Sequence, residues 1–243
     1  MLKRLSRLVG ALVLSFSLFN SVCALADQLQ FSKKKYDFDV DCIAPNAGRA
    51  TIEINFEGDK YNIGIKGKST SIFAKLYSSA SFKVESNGRL VNEQYKPDLY
   101  AAFEKHTRLL LFFFPSHYKR RVEFDYSNHS LKIYEKNSVE GVKMNDCTDP
   151  LSAILSFFRI RAEEGREYLI GRVYGEDYRD IYARVLEDEP FIVEIELPKK
   201  TLIKGETKLR LTYTRENNVI DIKKTAIYVP HLKAWAEGKL KGD

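Results

Sequence analysis

The chain has 243 residues with 39 Lys and Arg against 33 Asp and Glu, a net charge of +6. Lys3, Arg4 and Arg7 sit in an N-terminal leader that has no acidic residue, so its removal lowers the excess to +3 over 217 residues. That balance is too mild for a nucleic-acid footprint, and the length suffices for a core that needs neither a metal nor dense cross-linking.

The leader carries an apolar run from Leu8 to Phe19 and then Ala24-Leu25-Ala26. This is the pattern of a secretory signal peptide, with cleavage expected after Ala26. The run is shorter than the about 20 residues that span a bilayer, so no transmembrane anchor is expected after cleavage. Val22 stands where lipoprotein sites want a small residue, which weighs against acylation of Cys23. The protein is therefore expected to be periplasmic or otherwise exported. In such an oxidising compartment the two remaining cysteines, Cys42 and Cys147, are predicted to form a disulfide.

Lys35 to Cys42 alternates, with Phe38, Val40 and Cys42 on one face and Asp37, Asp39 and Asp41 on the other. It predicts a half-buried strand with a solvated acidic face. Ala50, Ile52, Ile54 and Phe56 continue the pattern, Gly58-Asp59 turns the chain, and Tyr61, Ile63 and Ile65 return it. Residues 69–77 fit either a short helix or an irregular crossing. Asn87-Gly88 predicts a type I′ hairpin between Phe82–Val84 and Leu90–Tyr95, because that dipeptide takes positive φ angles readily.

Leu109 to Phe114 is six apolar residues without alternation, flanked by Arg108 and Pro115. Two readings are open: a strand covered on both faces, or an exposed apolar segment that meets lipid or a partner. Under the second, Leu109, Leu111, Phe112, Phe113 and Phe114 are the candidate contact residues. Val122, Phe124 and Tyr126 then turn at Asn128-His129 and return through Leu131 and Ile133, and a loop is predicted from Glu135 to Asp146.

The central helix is predicted at about 149–159. Thr148 or Asp149 caps it, Pro150 occupies the first turn, and Leu151, Ile154, Leu155 and Phe158 form one apolar stripe. Hairpins follow: Leu169, Gly171 and Val173 with Ile181, Ala183 and Val185; then Phe191 to Leu197; then Leu209 to Tyr213 with Val219 to Val229 across Glu216-Asn217-Asn218. The fold class is mainly β, an antiparallel β-sandwich or partly closed barrel with one central α-helix. Residues 27–243 read as a single β-rich domain, divisible into sheet halves at 27–137 and 148–243.

No reaction centre emerges. His106, His117, His129 and His231 are scattered without metal-ligand spacing, and no cofactor motif is present. Gly64-Ile65-Lys66-Gly67-Lys68-Ser69 ends like a phosphate loop but lacks the earlier glycine. Glu187, Asp188 and Glu189 read as an exposed bend. The basic runs Lys33-Lys34-Lys35 and Lys119-Arg120-Arg121 read as solvated strand ends.

Tyr36-Asp37-Phe38-Asp39-Val40, Ala47-Gly48-Arg49-Ala50, Arg121-Val122-Glu123-Phe124-Asp125-Tyr126 and Asp149-Pro150-Leu151-Ser152-Ala153 occur in an order that resembles an exported bacterial family, the domain-of-unknown-function family numbered 3108. The resemblance runs from about Tyr36 to Val229, with Glu104 to His117 longer and more apolar than the pattern. It implies a β-rich exported protein and carries no catalytic residues. The expected function is a non-catalytic envelope protein that binds an apolar or lipid-like ligand or an envelope protein partner. The alternative is a hydrolase-type envelope enzyme whose site the sequence does not display.

Overall fold

Alternating residues turn one face of each segment inward, and the computed structural model joins those segments into one large sheet. It describes residues 29–42, 44–70, 79–107, 115–201, 206–229 and 233–241. The strands before the helix are β1 (Gln30–Phe31), β2 (Lys35–Cys42), β3 (Ala44–Glu57), β4 (Lys60–Ser69), β5 (Ser79–Val91), β6 (Gln94–Thr107), β7 (Pro115–Asp125), β8 (Ser130–Glu135) and β9 (Ser138–Lys143). After the helix α1 (Pro150–Phe157) come β10 (Glu167–Tyr174), β11 (Tyr178–Asp188), β12 (Phe191–Leu197), β13 (Thr207–Glu216), β14 (Val219–Val229) and β15 (Ala234–Leu240).

The sheet runs from β10 to β15 and then from β2 to β9. Gly238 of β15 opposite Val40 of β2 joins the two stretches in one antiparallel ladder. The short β1 lies parallel to β14. The two ends of the sheet, β9 and β10, are not hydrogen-bonded to each other as strands. Yet strands from both stretches, β5 and β6 on one side and β10 and β11 on the other, touch the same helix. The sheet is therefore curled around α1. This confirms the mainly antiparallel, partly closed reading.

The helix explains how so large a curl is filled. A small barrel is filled by its own side chains, whereas one with more strands leaves a lumen; here α1 occupies it. Asp149 caps the helix by accepting from the backbone N–H of Leu151 at 2.8 Å and of Ser152 at 3.1 Å, and Pro150 starts it without a missing donor. The Phe158 N–H closes it on the Ile154 carbonyl at 3.2 Å. The sequence spacing predicts one buried stripe, but Ser152 and Ala153 on the other side are buried as well. Only Ser156 remains half-buried. Phe158 meets Phe31 and Tyr213 edge-on at ring separations of 5.6 and 5.0 Å.

The seam between β9 and β10 is closed by other means. Residues 144–149 cross it, with the Met144 N–H on the His129 carbonyl and the Thr148 N–H on the Arg172 carbonyl, both at 2.7 Å. Thr148 also makes a parallel bridge to Val173. The Tyr178 hydroxyl donates to the Lys143 carbonyl.

Several sequence expectations are corrected. Asn87-Gly88 is not a turn: β5 runs straight through it, and the chain reverses at Asn92 and Glu93, whose φ angles are 49° and 65°. Gly88 is required for close approach, since a Cβ there would lie 2.1 Å from the Lys96 carbonyl oxygen. The register shift at this point also accommodates Pro97 opposite Gly88. The predicted loop from Glu135 to Asp146 contains β9, an edge strand whose residues face water and therefore show no apolar alternation. A shift between Leu169 and Gly171 turns Ile170 inward and leaves Leu169 58% exposed. The strand β15 was not anticipated, although it links the two stretches of sheet.

Candidate functional site

The predicted contact residues Leu109, Leu111, Phe112, Phe113 and Phe114 lie outside the described residues. Their place in the topology follows from what flanks them. β6 and β7 pair until Thr107 stands opposite Pro115, so residues 108–114 connect the two strands of this hairpin. β8 pairs with β7 only as far as Arg120 opposite Glu135. The first residues of β7 thus continue beyond the end of β8. Near this end Phe103 faces outward at 39% exposure, with the His117 ring 6.4 Å away.

A second cluster lies inside the curl. Asp149 Oδ2 accepts from the hydroxyls of Ser86 at 2.7 Å and Ser152 at 2.5 Å, and Tyr61 shares a 2.5 Å hydrogen bond with Ser152. Burial pushes the Asp149 carboxyl above the usual carboxylate range, opposed by the hydrogen bonds from Ser152, Ser86 and the backbone. Burial likewise raises the Tyr61 hydroxyl. Ser86 and Ser152 are fully buried, and their hydroxyls point at a carboxylate rather than at a histidine or lysine base. Nucleophilic catalysis needs a base that accepts the proton and a path for substrate. Here the acceptor of both hydroxyl protons is Asp149 and all four side chains are buried, so the cluster fastens the N-terminus of α1 to β4 and β5. The sequence offers Thr148 or Asp149 as the cap and the structure selects Asp149, while Ser86, which donates to Asp149, and Tyr61, which bonds to Ser152, come from distant strands.

A third feature sits at the seam. The Arg120 side chain is buried and donates to the carbonyls of Lys200 at 3.0 Å and Tyr174 at 3.1 Å, with its guanidinium 5.6 Å from the Tyr174 ring centre. Its Nε has no partner. Tyr118 donates to the same Lys200 carbonyl at 3.1 Å, and Tyr100 to that of Thr201. Burial raises the Tyr118 hydroxyl to about 12. These side chains lace β6 and β7 to the segment after β12, which corrects the reading of Lys119-Arg120-Arg121 as a uniformly solvated run. Beside them a cleft of about 310 Å³ is lined by Ile133, Glu135, Lys136, Ser138, Glu140 and Lys200. Lys200 reaches Glu135 at 3.7 Å and Glu176 at 3.9 Å. The lining charges cancel in number, so the cleft has no preferred sign of ligand. The inward position of Arg120 was readable from its alternation with Tyr118 and Val122.

The predicted disulfide is not formed: Cys42 and Cys147 are both free thiols. Cys42 ends β2 opposite Ala44, in the interior of the strand order, whereas Cys147 lies in the segment that crosses the seam. An even number of cysteines in an exported chain carries no information on whether the folded sheet brings the two together. Burial raises both thiols, that of Cys147 to about 11. The predicted acidic face of β2 is solvated and also paired: Asp37 accepts from Thr51 at 2.7 Å, Asp39 lies 3.7 Å from Arg49, and Asp41 lies 3.3 Å from Lys239. Among the described residues no group of His, Cys, Asp or Glu could hold a metal ion. Likewise among them, no helix is long and apolar enough to cross a membrane.

No family model matches the chain, and no curated protein matches it. Among solved structures, the chain is similar to the crystal structure of a beta-barrel-like protein of the domain of unknown function numbered 1849 from Brucella abortus. The identity is 10% and the TM-score 0.46, over 85% of this chain and 94% of that one.

Proposed function

We propose that the protein is an exported, non-catalytic component of the bacterial envelope that works by contact, presenting the apolar run Leu109–Phe114 to a lipid-like or protein partner. The observation that carries this reading is the register of the β6–β7 hairpin, which makes six consecutive apolar residues the connection between two strands. An apolar connection of this kind is a candidate interaction site. Presentation is favoured over enclosure because α1 occupies the interior of the curl, with Leu151, Leu155 and Phe157 buried there. Export is supported by the pattern of the leader.

The test uses the chain beginning at Asp27. Trp235 is the single tryptophan, so Phe113→Trp in a Trp235→Phe background reports only on the apolar run. Its emission should shift to the blue when zwitterionic acyl micelles or vesicles are added. Emission unchanged by both would overturn the lipid reading. N-terminal sequencing of protein recovered from the envelope should begin at Asp27; an intact leader in the cytosolic fraction would refute export.

A further inference from the structure

Cross-strand register gathers lysines that are scattered in the sequence. Reading across the outer face of the sheet, His117 on β7 stands opposite Lys105 on β6, Lys105 opposite Ser81 on β5, Ser81 opposite Lys68 on β4, and Lys68 opposite Arg49 on β3. The next outward row holds Lys119 opposite Phe103, Phe103 opposite Lys83, and Lys83 opposite Lys66. Their chain neighbours Tyr118, Ala102 and Val84 point the other way, into the core. Two adjoining rows over five strands therefore carry five lysines and an arginine with no acidic residue between them.

The arrangement is not one that folding asks for. Lys66 directly opposite Lys83, and Arg49 directly opposite Lys68, are like-charge pairs of the kind that destabilises a sheet. Lys66, Lys83 and Arg49 lean on Glu53 at 3.0 Å, Glu85 at 2.5 Å and Asp39 at 3.7 Å, all at the margins of the patch. Lys68, Lys105 and Lys119 are exposed and have no carboxylate within ion-pair distance among the described residues. With the leader removed the whole chain carries only +3, so six positive charges here leave the remainder net negative.

The patch is broad and has no buried donor at its centre. Its charges stand roughly 5 Å apart across strands and about 7 Å apart along them, a spacing suited to an extended anionic surface rather than to one small anion. The row of Lys105 and His117 ends two residues short of Thr107 and Pro115, from which the apolar connection departs. Basic residues beside an apolar segment fit an interface in which acyl chains take the apolar part and phosphates the cations.

We infer that the outer face of β4–β7 at this end of the sheet is a docking surface for an anionic phospholipid bilayer, with Lys68, Lys105 and Lys119 facing the lipid phosphates. This rests on the reading that Leu109–Phe114 makes the apolar contact, and it adds the charge of the partner.

The experiment is co-sedimentation of the chain from Asp27 with phosphatidylcholine vesicles, with and without phosphatidylglycerol. The wild type should bind the phosphatidylglycerol vesicles more tightly and lose that preference in high salt. A Lys68→Gln/Lys105→Gln/Lys119→Gln variant should bind them on the order of a hundredfold more weakly, roughly fivefold for each lysine near the surface. A control with Lys132→Gln, Arg161→Gln and Lys199→Gln should stay within about twofold of wild type, and all three proteins should melt alike. Equal binding to both vesicle types, or a triple variant that binds like wild type, overturns the inference. So does capture by soluble polyglutamate with no vesicle binding, which would assign the patch to an acidic protein. Phe113→Asp separates the two readings. If it abolishes binding while the lysine variant keeps it, the apolar contact stands and the anionic surface falls. If the lysine variant loses binding while Phe113→Asp keeps it, the anionic surface stands and the apolar contact fails.

Discussion

Replacing Asp149 by alanine removes four hydrogen bonds at once, two to the first turn of α1 and two to buried hydroxyls. Loss of an N-cap costs about 1–2 kcal/mol. Each hydroxyl loses a charge-assisted bond of roughly 1.5–3 kcal/mol, offset by relief of burying the carboxylate and by the contact that Ser152 keeps with Tyr61. The expected net loss is about 3–4 kcal/mol, or roughly 10 °C in Tm for a domain of this size. Asp149→Asn keeps the cap acceptor and should cost about 1–2 kcal/mol. Urea unfolding followed by Trp235 fluorescence and circular dichroism measures both. The pH dependence gives a second check. Burial raises the folded carboxyl above its unfolded value of about 4, so its contribution is present below that value and is lost as pH rises through the folded one. The advantage of wild type over Asp149→Asn should therefore shrink as pH rises above about 4. Asp37, Asp41 and Asp180, whose carboxyls are held low, titrate in both proteins and cancel in the difference. An alanine variant within about 1 kcal/mol of wild type, or a difference that is flat with pH, would refute the view that Asp149 anchors the helix.

Leu155→Asp and Phe158→Asp should each lower Tm far more than Ser156→Asp, because only Ser156 on α1 is not buried; equal melting of all three would place the helix at the surface. Gly88→Ala should cost several kcal/mol, about 3 or more, through overpacking against the Lys96 carbonyl. Gly141→Ala on β9 meets nothing within 4 Å and should be near neutral; similar effects in thermal melts would show that β5 does not pass Gly88 as described. Thiol titration of the denatured chain from Asp27 should find Cys42 and Cys147 both reactive. In the native protein Cys147 should react slowly, since it is 5% exposed and burial pushes its thiol up to about 11; absence of free thiols on denaturation would restore the disulfide.

Strands with one face in the core were legible because burial writes a period of two into the sequence, as in Tyr36 and Phe38 of β2 or Val193, Ile195 and Leu197 of β12. The edge strand β9 has no buried face and left no such trace. Turn chemistry misled at Asn87-Gly88, where the glycine answers a close backbone approach rather than a positive φ, and the positive angles fall on Asn92 and Glu93. Charge runs misled in a similar way. Lys119 and Arg121 face water, while Arg120 between them turns inward to the Lys200 and Tyr174 carbonyls.

By itself the sequence determined the class of fold, the inward residues of most strands and the place of α1 with its cap at Thr148 or Asp149. These depend on local periodicity and on groups within a few residues of each other. Only the tertiary structure decided how the sheet closes, that Asp149 meets Ser86 while Ser152 meets Tyr61, that Cys42 and Cys147 stay apart, and that Lys68, Lys105 and Lys119 share one face. Each of these depends on which strands lie side by side and in what register. Register is set by the sum of pairings across the whole sheet, and no short stretch of chain contains it.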